Sequence, residues 1–65
     1  MKSIFGNNLR AIRQELGLSQ TDLARMVDVS FKTISHWESG YSEPSLELLT
    51  KLKNLLKVEY EDLLD

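Results

Sequence analysis

One stretch restricts this chain more than any other: Ser19 to Gly40, SQTDLARMVDVSFKTISHWESG. Ser19 and Asp22 stand three apart, the spacing of a helix-capping pair. The hydroxyl accepts from the open amides of a helix start, and the acid answers its positive end. A helix is therefore expected from about Gln20. Leu23, Ala24 and Val27 fall at i, i+1 and i+4 on one side of it, and Arg25 points away. Val27-Asp28-Val29 interrupts this helix, and Ser30 offers a second cap before a helix from Phe31 to Ser39. Two short helices joined by a turn of three or four residues form a helix-turn-helix unit.

The flanking segments read as support. Phe5, Leu9, Ile12 and Leu16 form a helical stripe that stops at Gly17, a C-cap residue. Arg10 lies opposite the stripe, in solvent or near a ligand, and Arg13 lies on its flank. Gly40 to Pro44 supplies turn and breaker residues. Ser45 then caps a fourth helix, with Glu47 in its first turn. Leu48, Leu49, Leu52, Leu55 and Leu56 are broad enough to be the main wall of the core. Glu59 to Leu64 places Tyr60, Leu63 and Leu64 on one face of a short fifth helix. The fold class expected is all-α, five helices in one domain over residues 1–65, with no repeat, linker or low-complexity tract.

A chain of 65 residues has room for one small core, which buries only about 60% of the surface its unfolded form exposes. Cys is absent, so packing must stabilise the core without disulfides or zinc-thiolate sites. No apolar run approaches the roughly 20 residues of a membrane span, and Met1-Lys2-Ser3 does not lead into a signal-peptide core. A cytoplasmic location is expected, with no membrane partner.

The net charge of -2 argues at first against a polyanionic partner, because phosphate affinity is largely electrostatic. Its distribution weakens the objection. Up to Gly40 five Lys/Arg face four acids, whereas from Tyr41 onward three lysines face six acids. A basic-leaning surface can therefore be built from the N-terminal half. On the third helix Ile34 and Trp37 mark the buried side, and Lys32 and His36 fall almost opposite, flanked by Thr33 and Ser35. A cation, an imidazole and two hydroxyls can meet phosphates or base edges, and Phe31 can touch a thymine methyl. On an isolated helix the same residues read first as a solvated face.

His36 is the only histidine, so neither a metal cluster nor a Cys-His nucleophile pair can be assembled. Glu61 and Asp62 are adjacent on a helix and point in different directions, which disqualifies them as an acid/base pair. No enzyme activity, cofactor or metal is expected.

Arg13, the run Leu18-Ser19-Gln20-x-x-Leu23-Ala24, then Ile34, Glu38 and Gly40, and finally Pro44-Ser45-Leu46 stand in an order and spacing that resembles the phage-repressor and Cro type of helix-turn-helix domain, the XRE family. The resemblance runs from about Phe5 to Leu64. It implies a compact five-helix, lambda-repressor-like fold that binds double-stranded DNA, usually as a dimer, with the third helix in the major groove. By that resemblance Gln20 meets a phosphate at the start of helix two, Ser39 meets another after helix three, and Ser30, Phe31, Lys32, Ser35 and His36 read bases or nearby backbone. Thr33 and Arg10 complete the candidate DNA-binding set. Arg13 and Glu38 are expected to form an interhelical ion pair, since Glu38 falls on the inward side, where an unpaired carboxylate is costly.

Three positions depart from the family pattern. Asp28 stands where glycine is common, which implies a left-handed backbone at that residue. Glu43, before Pro44, sets a carboxylate near the expected phosphates, and Glu59 replaces the usual Ser or Thr cap of helix five. Two such domains about 34 Å apart would read a palindromic operator. Leu56, Tyr60, Leu63 and Leu64 are the candidate homodimer face, although Tyr60 and Leu63 could equally close the core. The function implied is a sequence-specific DNA-binding transcriptional regulator, a repressor before an activator. The alternative is a protein-interaction module on the same fold, an antitoxin-like partner or transcription adaptor working through the acidic C-terminal half.

Overall fold

Each helix begins or ends where a side chain or a left-handed residue satisfies its open backbone groups. The computed structural model describes residues 4–65; Met1, Lys2 and Ser3, and with them the signal-peptide reading and the charge of Lys2, lie outside the described residues. The order is α1 (Ile4–Glu15), α2 (Gln20–Val27), α3 (Phe31–Ser39), α4 (Leu46–Leu56) and α5 (Tyr60–Leu64). No helix among the described residues is long and apolar enough to cross a membrane.

Three serines start helices. The Ser19 hydroxyl accepts from the Asp22 amide at 2.9 Å while the Asp22 carboxylate accepts from the Ser19 amide at 2.9 Å. Bonds to that carboxylate from Ser19, its amide first and its hydroxyl second, hold the Asp22 carboxyl below its usual range. Ser30 caps α3 by accepting from Thr33, and Ser45 caps α4 by accepting from Leu48. At α5 the Asp62 carboxylate accepts from the Glu59 amide at 2.8 Å, the half of a capping box that needs no hydroxyl at Glu59. Gly17 and Gly40 turn the chain at φ 73° and 83°, and Asp28 and Lys57 do so at 64° and 57°. Asp28 is thus left-handed, as its glycine-like place implied. At Lys57 nothing in the residue type announces the conformation; the Lys53 carbonyl, which accepts from Val58 at 3.1 Å, closes the end of α4 there.

Leu9, Leu23, Val27, Ile34, Leu52 and Leu63 have no exposed surface, and Phe5, Ala24, Trp37 and Leu56 are nearly as deep. α1 packs on α3 and α5, and α2 packs on α3 and α4. Two stripe assignments fail at their edges. Leu16 is 53% exposed, because α1 ends at Glu15 and Leu16 lies in the turn leading to Gly17. Leu55 is 38% exposed, because it sits about 60° from Leu52 around α4. Leu56 and Leu63 belong to the core, so neither is available to a dimer face in this fold. The Asn8 amide donates to the Leu63 carbonyl at 3.0 Å and ties α5 to α1.

Where α1 meets α3 the contact is backbone on backbone. A Cβ added at Gly6 would stand 2.6 Å from the Trp37 carbonyl oxygen and 2.7 Å from that of Glu38. Beside this approach the Glu38 carboxylate is fully enclosed. Arg13 donates to it through Nε at 2.6 Å and Nη2 at 3.0 Å, and its Nη1 donates to the Leu18 carbonyl at 2.8 Å. The Gln20 amide donates to Glu38 Oε1 at 3.0 Å, and Arg10 Nε lies 3.5 Å from the same oxygen. Burial pushes the Glu38 carboxyl up. Hydrogen bonds from Arg13 and Gln20, with the charges of Arg13 and Arg10, outweigh that effect and leave it below its usual range.

Two predictions follow from these features. Replacing Glu38 by alanine strands Arg13 and should cost about 3–5 kcal/mol, enough to remove most of the stability of a domain this small. A lowered folded-state value means that the contribution is present above the unfolded value near 4.3 and is lost as pH falls through the folded one. Thermal melts from pH 7 to pH 3 should therefore show wild type losing stability below about pH 4.3 more steeply than Glu38→Gln. Equal melting of wild type and Glu38→Ala would rule the role out. Asp28→Gly should leave stability unchanged or raise it by up to about 1 kcal/mol; chemical denaturation showing a clear loss would mean that the aspartate side chain itself holds the turn.

Candidate nucleic-acid interface

α3 has an inner and an outer face, and the core uses only the inner one. Ile34, Trp37 and Glu38 are buried, while Phe31 and Lys32 are exposed and Thr33, Ser35 and His36 are half-buried. Among the described residues nothing binds the Lys32 ammonium or the Ser35 hydroxyl. Phe31 is 53% exposed at the helix start, an apolar surface that the core does not need. Such a helix can offer one cation, one apolar ring and several polar edges to a groove.

The other candidates are partly occupied. The Ser30 and Thr33 hydroxyls lie 2.8 Å apart, and Ser30 also holds the Thr33 amide, so this pair serves the cap first. The Ser39 hydroxyl donates to the His36 carbonyl at 3.1 Å. Gln20 and Arg10, expected to face a phosphate or solvent, both turn toward Glu38. The arrangement still leaves them donors. A primary amide carries two N–H bonds and a guanidinium five. Because the carboxylate takes the Gln20 nitrogen, the amide cannot flip its oxygen inward, and its second N–H remains for another acceptor. Arg10 keeps 48% of its side chain exposed.

The structure thus gathers Phe31, Lys32, Ser35 and His36 along one helix face and places Gln20 and Arg10 around Glu38. It does not bring Tyr60 and Leu64 to that face as partners of any α3 residue; they lie on α5, 38% and 47% exposed. One neighbour of the helix does more than the turn expected of Gly40 to Pro44. The Tyr41 ring lies against His36 with centroids 4.5 Å apart at 45°. The readable signal was an aromatic immediately after a glycine C-cap, a position that packs back over the last turn of its helix.

Known proteins share this fold. A helix-turn-helix family model matches residues 9–63. The c2 repressor of Salmonella phage P22 is 38% identical over 94% of this chain, which spans 28% of that repressor; this chain covers 92% of the c2 repressor chain solved in complex with a synthetic operator, with a TM-score of 0.87. YonR, a prophage-derived HTH-type transcriptional regulator of Bacillus subtilis, is 36% identical over 94% of this chain, which spans 56% of YonR. Antitoxin PezA of Streptococcus pneumoniae is 32% identical over 92% of this chain, which spans 38% of PezA. The chain therefore covers little more than half, or less, of these two curated relatives. Its five helices, the family model over residues 9–63 and the match to the operator-bound c2 repressor chain lead to one assignment: the chain belongs to the helix-turn-helix family, in its phage-repressor type.

Proposed function

We propose that this chain is a sequence-specific DNA-binding transcriptional regulator, foremost a repressor, acting in the cytoplasm without catalysis or a cofactor. The observation that carries the reading is an outer face on α3 that the core leaves unused, on a backbone shared with an operator-bound repressor. In this reading α3 enters the major groove. Lys32 and His36 face base edges or phosphate, Phe31 meets a thymine methyl, and Ser30, Thr33, Ser35 and Ser39 border them. Gln20 and Arg10 reach the flanking phosphates with the N–H groups that Glu38 does not take.

A homodimer on a palindromic operator completes the proposal. Leu64, with the edge of Tyr60, is the apolar surface of α5 available for that contact, Leu56 and Leu63 being buried. The Tyr60 hydroxyl lies 2.8 Å from the Thr50 hydroxyl, and the Lys53 ammonium lies 5.3 Å from the Tyr60 ring centroid, so Leu64 is the freer of the two. A second reading is favoured by the likeness to PezA: a protein-binding partner of antitoxin kind, using the exposed acids Glu59, Glu61, Asp62 and Asp65.

Selection from random duplexes, followed by affinity measurements over a range of salt, separates the two. A regulator should enrich one sequence, and log affinity should fall by about 0.9 per decade of salt for each phosphate neutralised. No enriched sequence and a flat salt profile would reject it in favour of the second reading. At the selected site Lys32→Ala should lose about 1–3 kcal/mol if it reads a guanine, with preference relaxed at one base pair. Leu64→Glu should leave melting unchanged while abolishing cooperative occupation of paired half-sites. Sedimentation equilibrium showing unaltered mass on the operator would remove α5 as the dimer face.

A further inference from the structure

An imidazole on the outer face of a helix is free to turn about two side-chain bonds, and a partner that needs one orientation must bear the entropy of fixing it. His36 is not in that condition. Gly40, at φ 83°, reverses the chain directly after α3. Tyr41 is thereby returned over the last turn, its amide donating to the His36 carbonyl at 2.9 Å. That carbonyl also accepts from the Ser42 amide at 3.3 Å and the Ser39 hydroxyl at 3.1 Å. The residue that delivers the ring is thus anchored to the residue that the ring covers. His36 is consequently half-buried although it lies on the outer face, whereas Tyr41 remains 79% exposed.

That exposure separates Tyr41 from a core aromatic: one side of its ring meets the imidazole and most of the rest faces solvent. Lys32 lies one turn before His36 on the same face. The imidazole is therefore covered by a tyrosine ring on one side, with a cation one turn away on the same face.

We propose that Tyr41 is a positioning residue for DNA recognition: its ring holds the His36 imidazole in one orientation, so that discrimination at the base pair His36 meets depends on Tyr41. This rests on the reading of α3 as the helix that enters the groove. The competing account is that Tyr41 merely closes the helix end, where an apolar contact between these two positions is common. Leucine would preserve such a closing contact and lose the ring; phenylalanine would keep the ring.

The test combines two measurements on the full chain. In the free protein, NMR should show the His36 ring protons displaced by the tyrosine ring current and χ1 couplings typical of one rotamer, in wild type and in Tyr41→Phe. In Tyr41→Leu the displacement should vanish and the couplings should average. On DNA, the base pair whose substitution no longer matters in His36→Ala identifies the position read. There Tyr41→Leu should lower base preference roughly two- to tenfold, with other positions unchanged and melting within a degree or two of wild type. Tyr41→Phe should match wild type. Single-rotamer couplings that persist in Tyr41→Leu overturn the positioning role, as does unchanged base preference or an equal loss at every base pair. If wild type selects no sequence, the regulator reading falls, and with it the recognition role of Tyr41; the NMR result still decides whether the ring holds the imidazole.

Discussion

A single carboxylate with no exposed side-chain surface joins three helices. Glu38 comes from α3, takes two N–H groups of Arg13 from α1 and accepts from Gln20 at the start of α2. A charge in such a place is costly without its partners, so each of these bonds offsets part of the burial of the carboxylate. Among the described residues no buried side-chain nitrogen or oxygen lacks a partner. The network fixes more than stability. It sets the angle of α3 relative to α1, turns the Gln20 amide to a defined face and draws Arg10 to the edge of the same cluster. Beside it, the missing side chain of Gly6 lets α1 approach the Trp37 and Glu38 carbonyls. The ion pair supplies the attraction, and the glycine supplies the distance.

Much of this was legible in the residues. Ser19, Ser30 and Ser45 each stand one residue before a helix, and the inward sets Leu23, Ala24, Val27 and Ile34, Trp37 follow from helical phase. Asp28 gave away its left-handed turn by occupying a glycine-like place. What periodicity cannot supply is the end of a stripe. Leu16 has the right phase for α1 but stands beyond its last turn, and Leu55 has nearly the right phase for α4 but sits on its margin. Phase reports direction, and burial also needs something opposite.

The candidate site was legible in outline, since helical phase alone divides α3 into inner and outer residues. Its electrostatic detail was not. Gln20 and Arg10 are polar residues at exposed-looking places, and only the positions of three helices together show that both reach a shared carboxylate. Tyr41 and Lys57 escaped for a related reason. Each takes its role from the conformation of a helix end: Gly40 returns Tyr41 over α3, and the Lys53 carbonyl helps hold Lys57 left-handed.

The two faces of α3 carry a consequence for how such a chain can diverge. Phe31, Lys32 and Ser35 make no side-chain bonds to the described scaffold, so substitution there leaves the enclosed carboxylate and its three helices untouched. Folding exerts little restraint on those letters of the sequence. Duplicated copies can therefore drift apart at these positions while retaining one architecture, and partner choice can change by steps that never pass through an unfolded intermediate. Gln20 has no such freedom, because a change there alters both the surface it offers and the carboxylate it covers.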